Sequence, residues 1–291
     1  MSDVIAASTT DAGHSRRIGV TERLTMSQVS TTTSSPRRRV TMTWVVWITA
    51  VIAYGFAVMQ RTSLGVMGLT AAAHFNAPAS VVATFMVLQV AVYAVLQIPA
   101  GITVDRLGSR VVITAGSIVM TVGQVVMALT GSVGGAVLAR VLVGCGDAFI
   151  FGAAIRLVPA WFPPKQTPLV TQLTGLLGQF GQVVSAVGLV AMVNSSGWRS
   201  TYLLAAGGAA VAAALAFLLI RDAPPGVEPE RTDGNVKQLP HQVAEVISHP
   251  STRLAFWAHM SSNFAGIVFS LMWGMPYLTH AEGRSTATAS T

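Results

Sequence analysis

Apolar runs long enough to cross a bilayer alternate with short polar segments over most of this chain. Six such runs lie between residues 42 and 220, and a seventh covers 254–277. A helix needs about 20 apolar residues to span the hydrocarbon core. The pattern therefore predicts an all-α polytopic membrane protein with seven spanning helices.

The polar segments between these runs set the predicted boundaries. We place the helices at 42–73, 80–99, 111–130, 136–160, 169–193, 201–220 and 254–277. The predicted units are a disordered cytoplasmic tail (1–40), a six-helix transmembrane bundle (41–220), a cytoplasmic linker (221–253), transmembrane helix 7 (254–279) and a polar tail (280–291). Within the Pro-rich linker, 242–248 is predicted to form a short helix on the membrane surface.

The basic residues indicate the orientation of the bundle. With the N-terminus inside, the tail and the cytoplasmic loops hold 14 of the 18 Lys and Arg residues, and only Arg199 and Arg284 lie outside. This asymmetry predicts a cytoplasmic N-terminus. The net charge of +7 is spread between the apolar runs, which argues against a nucleic-acid partner.

One charged segment separates predicted helices 2 and 3. It carries Gly101, Asp105, Arg106, Gly108 and Arg110 in the pattern G-x-x-x-D-R-x-G-x-R. A turn of this kind resembles the signature of the major facilitator superfamily of secondary transporters. The resemblance implies a cytoplasmic gating loop whose acid, near a helix N-terminus, latches the first helical bundle to a second one, with Arg156 as a further partner. The alternative is a basic loop that only sets topology.

Four charged residues fall within the apolar runs, and one of them, Arg156, lies near the inner end of helix 4 and is counted with the cytoplasmic side. The other three lie inside the membrane, where each costs at least about 2.5–3.5 kcal/mol and suggests a function. They are Arg61 in helix 1 and Arg140 and Asp147 in helix 4. At about 1.5 Å per residue, Arg61 and Asp147 both lie roughly 20 Å from the outer ends of their helices. We therefore expect an Arg61–Asp147 pair across a cavity. The alternative is that Asp147 pairs with Arg140 or Arg156 in a purely structural role.

The sequence around these charges extends the resemblance. Arg140-x-x-x-Gly144-x-Gly146-Asp147 resembles the fourth-helix motif of the organic anion:proton symporter branch, and Arg61-Thr-Ser-Leu-Gly resembles its first-helix segment. The resemblance implies that Asp147 couples protons and that Arg61 helps to bind anions. Where that branch has an acid before the arginine, this chain has Gln60. No cofactor is expected, and the proton gradient is the expected energy source.

Uncharged polar residues form stripes on two further helices. Gln89, Tyr93 and Gln97 share one face of helix 2, and Gln179 and Gln182 share one face of helix 5. Such stripes line a wet cavity or form hydrogen bonds between helices, and the spacing leaves both open. We place all of these residues on the expected substrate and proton pathway. In helix 7, His259 is predicted to have an interfacial structural role.

Other functional classes find little support in the sequence. It has no G-x-S-x-G, H-E-x-x-H or P-loop motif and no metal-ligand spacing, which argues against an enzyme. Cys145, the single cysteine, is predicted to pack between helices, and Trp44 and Trp47 to lie in an interfacial belt. A seven-helix receptor would need the N-terminus outside.

The expected function follows from the resemblance. It implies alternating-access transport of a small organic anion in symport with protons, by a multi-pass protein of the plasma membrane. The family has six plus six helices, so we expect a C-terminally truncated chain that holds helices 1–7 and lacks its C-terminal bundle as partner. A truncated fragment that does not transport is the alternative.

Overall fold

A computed structural model describes residues 36–229, 231, 239–269 and 274–290, and these contain helices but no strand. The helices are α1 (Pro36–Val66), α2 (Gly68–His74), α3 (Ala79–Leu107), α4 (Ser109–Leu129), α5 (Val133–Trp161), α6 (Thr167–Val183), α7 (Val190–Leu219), α8 (Leu239–Ser248), α9 (Pro250–Val268), α10 (Gly274–Pro276) and α11 (Thr286–Ser290). Short π-helical segments, Val184–Leu189 and Tyr277–Ala281, follow α6 and α10. The all-α membrane fold is confirmed.

Five helical segments are long and apolar enough to cross a membrane. They are Thr41–Val66, Ala79–Leu107, Ser109–Leu129, Val133–Trp161 and Thr167–Leu219. The last segment has 53 residues and is interrupted at Gly197, whose φ of 79° and ψ of 175° are not helical. It therefore supplies both predicted helices 5 and 6.

The seventh predicted helix differs from the other six. It is described as α9, which begins four residues earlier than the predicted start at Leu254, and residues 270–273 lie outside the described part. Its described side chains include Arg253, His259 and Asn263, and α9 is not among the five membrane-length segments. That α9 crosses the membrane stays a prediction. The short linker helix is present as α8, and its place on the membrane surface also stays a prediction.

Two predicted helix boundaries in the first half of the chain were wrong. Of the predicted tail (1–40), residues 1–35 lie outside the described part of the chain. The helix α1 already begins at Pro36, since proline suits the first turn of a helix. Predicted helix 1 is not continuous to residue 73. It breaks at Met67, after which α2 forms a separate short helix.

The predicted loop at Gly101–Arg110 is mostly helical. α3 continues through Pro99 to Leu107, and only Gly108, with a φ of 83°, separates it from α4. Membrane helices tolerate proline because other groups satisfy the backbone that it disturbs. The charged motif is thus the end of one helix and the start of the next.

The bundle is held together by close packing of small side chains. α5 packs against both α3 and α4, α4 packs against α7, and α1 packs against α6. Alanines such as Ala139, Ala153 and Ala209 are fully buried, whereas large apolar side chains such as Val95 and Leu176 point outward. An apolar exterior suits a lipid environment, and the close helix approach positions the polar groups inside.

Trp47 corrects one sequence-based expectation. Its side chain is buried, and its indole Nε1 donates a hydrogen bond to the Thr174 hydroxyl at 2.8 Å. It therefore joins α1 to α6 inside the bundle and does not lie in an interfacial belt, while Trp44 is 44% exposed.

Candidate functional site

Arg61 on α1 and Asp147 on α5 form an ion pair in the middle of the bundle. The distance between Arg61 Nη1 and Asp147 Oδ2 is 3.2 Å. The Asp147 side chain is 1% exposed, and that of Arg61 is 18% exposed. The depth argument from the sequence thus located the pair correctly, and Arg61 is the member that faces open space.

Two residues of α3 hold Arg61 in place. The guanidinium lies 5.7 Å from the centre of the Tyr93 ring, a cation–π distance. On α1, the Tyr54 hydroxyl accepts a hydrogen bond from Gln179 Nε2 at 3.5 Å and so joins α1 to α6. Gln89 donates from Nε2 to the Arg61 carbonyl oxygen at 3.3 Å. Arg61 is therefore fixed by α3 while it remains accessible.

Arg140 does not pair with Asp147. It is fully buried and donates hydrogen bonds to neutral oxygens only. These acceptors are the Gln60 carbonyl at 3.4 Å, Ser63 Oγ at 3.5 Å, Gln89 Oε1 at 3.3 Å and Gln124 Oε1 at 3.3 Å. Arg156 instead forms an ion pair with Asp105. Neither alternative partner for Asp147 is therefore used, and Arg140 joins α1, α3, α4 and α5.

The two glycines after Arg140 let α5 approach its neighbours. A Cβ on Gly144 would lie 2.6 Å from the Gln89 backbone oxygen of α3, and a Cβ on Gly146 would collide with the backbone of Gly116 on α4. Close packing by small residues is common between membrane helices. The fourth-helix motif therefore serves packing as well as placing Asp147.

Two cavities meet at Arg61. The first, here called the apolar cavity, has a volume of about 520 Å³ and lies between α3 and α9. Its lining is mostly aliphatic and aromatic, with Met86, Val87, Val90, Phe256, Met260, Phe264, Ile267 and Val268. The second, here called the polar cavity, has a volume of about 610 Å³. It is lined by Thr62, Tyr93, Gln179, Gln182, Ser262 and Asn263, among others.

The predicted polar stripes are divided by this arrangement. Gln89 is buried, joins helices and also lines both cavities. Tyr93, Gln179 and Gln182 line the polar cavity. Gln97 lies beside Asp105 in a separate pocket of about 210 Å³. His259, expected at an interface, lines both cavities beside Arg61.

The residues of the charged motif form a second cluster, at one end of the bundle. Asp105 lies in the last turn of α3, and the expectation that it latches onto a second bundle near a helix N-terminus stays a prediction. The N-terminus of α4 is occupied by Asp222, whose Oδ1 accepts a hydrogen bond from the Arg110 backbone N–H at 2.9 Å. Arg110 Nε donates to the Phe217 carbonyl oxygen at 2.8 Å. The motif thus ties α3 and α4 to α5 and to the end of α7. Gly101 and Arg106 are exposed on α3.

Sequence reasoning missed the contributions of Asp222 and Tyr54. Asp222 was assigned to the linker, and no local signal in the sequence marks its role, because it caps the start of α4 from 112 residues further along the chain. Tyr54 lies seven residues before Arg61, which puts both on one face of α1, and this spacing was available in the sequence. Among the described residues, no group of His, Cys, Asp or Glu could hold a metal ion.

A membrane-embedded helical bundle with an ion pair at internal cavities defines a transporter-like class of protein. The sequence profile of the Major Facilitator Superfamily matches residues 47–290. This chain belongs to the Major Facilitator Superfamily. Members of this family, including the relatives below, are transporters and not enzymes.

Curated relatives agree with this assignment. The chain is 25% identical over 175 residues to the probable L-galactonate transporter of Escherichia coli K12, a match that covers 60% of this chain and 38% of the relative. It is 24% identical over 207 residues to the hexuronate transporter of Bacillus subtilis 168, which covers 68% of this chain and 47% of the relative. The matches thus span less than half the length of these relatives.

The fold is shared with a solved transporter. An inward-facing bacterial homolog of the human lysosomal transporter Spinster superposes with a TM-score of 0.65 at 18% identity. The match covers 88% of this chain and 59% of that structure's chain.

Proposed function

We propose that this chain forms the anion-binding and proton-accepting part of a carrier that moves small organic anions together with protons across the plasma membrane. The observation that carries the proposal is the Arg61–Asp147 ion pair, in which the cation faces two cavities and the acid is buried behind it. Galactonate and hexuronate, named for two relatives, are both carboxylate anions, which supports the substrate class.

Coupling follows from competition for one guanidinium. An anion that enters from either cavity meets Arg61 first and draws it away from Asp147. A buried carboxylate that loses its partner is costly, because its charge is neither solvated nor paired. Asp147 then takes up a proton and becomes neutral. When the anion leaves, Arg61 returns to Asp147 and the proton is released.

The transport cycle requires a second group of helices in this proposal. Alternating access moves two helical bundles about a site between them. We propose that a second bundle covers the cavities at Arg61 and that the cytoplasmic cluster of Asp105, Arg110 and Arg156 contacts it when the inner side closes. The N-terminus and the linker then lie in the cytoplasm.

Replacing Asp147 tests the coupling step. In vesicles with an imposed proton gradient, uptake of labelled galactonate, glucuronate and other organic anions is measured for the 291-residue chain and for the chain joined to any sequence encoded after Thr291. We expect Asp147→Asn to abolish proton-driven accumulation but to keep exchange of anion for anion, since Arg61 remains.

Glu245→Gln is the matched control, because it removes an exposed carboxylate from α8 that lies outside the cavities and the Asp105 cluster, and it should leave accumulation unchanged. Accumulation that survives in Asp147→Asn would contradict the role of Asp147. The absence of uptake in every native form would contradict the transport function itself.

A further inference from the structure

The two cavities at Arg61 differ in chemistry although they share several lining residues. Around the apolar cavity, α3 contributes Met86 and Val87, and α9 contributes Phe256, Met260 and Phe264. The polar cavity has amides and hydroxyls instead, including Gln179, Gln182 and Tyr93. A ligand held by Arg61 therefore has an apolar wall on one side and hydrogen-bonding groups on the other.

We propose that the preferred ligand is an amphipathic carboxylate, with its anionic head on Arg61 and an apolar body of aryl or alkyl character in the apolar cavity. This inference rests on the proposed function only in placing the anion on Arg61. A sugar acid carries hydroxyl groups along its whole length. Besides Arg61, the polar side chains that line the apolar cavity are Gln89, His259 and Asn263, so most of those hydroxyls would lose water without gaining partners, which is unfavourable.

Charge and size both fit this ligand. Arg61 is the single Lys, Arg, Asp or Glu that lines the apolar cavity within the described residues, so an anionic head meets a cation and no competing acid. The volume of about 520 Å³ falls inside the range of about 300–1,000 Å³ that is usual for small-molecule sites. An aromatic ring on a short alkyl chain can enter such a space with its carboxylate still at Arg61.

A series of carboxylates tests the proposal directly. Binding of acetate, butyrate, hexanoate, 3-phenylpropionate, 4-phenylbutyrate and glucuronate to the purified 291-residue chain in lipid nanodiscs is measured by calorimetry, with empty nanodiscs as the blank. We expect affinity to rise about fourfold for each buried methylene group until the cavity is filled. Glucuronate should bind more weakly than 4-phenylbutyrate. Equal affinity across the series, or tighter binding of glucuronate, would overturn the proposal.

A pair of valines on α3 supplies matched variants. Val87 lines the apolar cavity, whereas Val95 points outward on the same helix and lines neither cavity at Arg61. We expect Val87→Asn to weaken 4-phenylbutyrate binding about tenfold, since it places an amide against an apolar ligand, and to leave acetate binding unchanged. Val95→Asn should change neither. Equal effects of the two variants would contradict the assigned cavity.

The binding and uptake experiments test different claims, so one claim can be wrong while the other holds. If the affinity series holds but no native form shows proton-driven uptake, the ligand class stands and the transport function is wrong. If uptake is coupled to protons but the series is flat, only the ligand class is wrong. Arg61→Gln should abolish binding of every anion in the series. Retained binding would contradict the placement of the anion on Arg61, on which both proposals rest.

Discussion

Asp147 lies behind Arg61 as seen from the two cavities at this site. The acid is 1% exposed, and both cavities are lined by Arg61 and not by Asp147. In the proposed cycle this order means that a ligand engages the arginine before Asp147 takes up a proton. Under that proposal the pair acts as a coupling element and not merely as a stabilising contact.

At the residue scale, the Arg61–Asp147 ion pair predicts that a double variant regains stability that the single Arg61 variant has lost. Arg61→Gln leaves the buried Asp147 carboxylate without its partner, which should cost about 3 kcal/mol at neutral pH. Adding Asp147→Asn removes that charge, so the double variant should be more stable than Arg61→Gln alone. Thermal unfolding of the purified variants measures the difference. A double variant that is as unstable as Arg61→Gln would show that the charge is not the cause.

The sequence predicted Arg61 and Asp147 correctly but not the surroundings of Arg140. Depth along a helix can be counted from residue numbers, and the two members of the pair lie at equal depth. The neutral acceptors around Arg140 depend on how α1, α3 and α4 are rotated about their axes. Spacing within one helix cannot give that rotation, so the hydrogen bonds that Gln89 and Gln124 accept from Arg140 could not be predicted.

At the element scale, the backbones of α1 and α6 are in close contact at Gly181. A Cβ on Gly181 would overlap the backbone carbonyl of Gly55, whereas a Cβ on Gly175 of the same helix has nothing within 4 Å. We therefore expect Gly181→Ala to destabilise the bundle by about 1–3 kcal/mol through overpacking. Gly175→Ala is the matched control and should be neutral or slightly stabilising, because alanine favours helix.

Thermal unfolding in the same detergent compares these two glycine variants. If they lose equal stability, the contact between α1 and α6 is not as close as described.

Helix ends were the least predictable feature of the elements. Hydropathy falls at Pro99 and again near residue 194, so the sequence suggested loops there. The backbone instead remains helical to Leu107, whereas the predicted turn at 194–199 does contain a break, at Gly197. Polar residues at the ends of membrane helices lie beyond the hydrocarbon core, where a helix can continue without being apolar.

At the scale of the whole molecule, the orientation in the membrane remains a prediction. The chain has two lysines, Lys165 in the segment between α5 and α6 and Lys237 in the linker, and both are predicted to be cytoplasmic. An impermeant amine reagent should label Lys165 in inverted vesicles and not in right-side-out vesicles. Peptide mass spectrometry reads the result. Labelling of Lys165 from the outside would reverse the orientation and place the Asp105 cluster on the outer side.

The proposed transport cycle connects the ion pair to a motion of the whole molecule. In the proposed cycle the bundle moves with Arg61 and Asp147 either paired or separated by an anion and a proton. Both states avoid an unpaired buried carboxylate. An anion bound without a proton would leave Asp147 charged and unpaired, and a proton bound without an anion would leave Arg61 unpaired. Coupling therefore needs no contact between distant parts of the molecule.

Proton uptake on anion binding tests the central claim most directly. Purified chain in weakly buffered solution is mixed with 4-phenylbutyrate or galactonate near neutral pH, and a pH-indicating dye records the change. The account predicts that the native chain takes up a proton as each anion binds and that Asp147→Asn binds anion without proton uptake. Anion binding by the native chain without proton uptake, or equal uptake by Asp147→Asn, would contradict it.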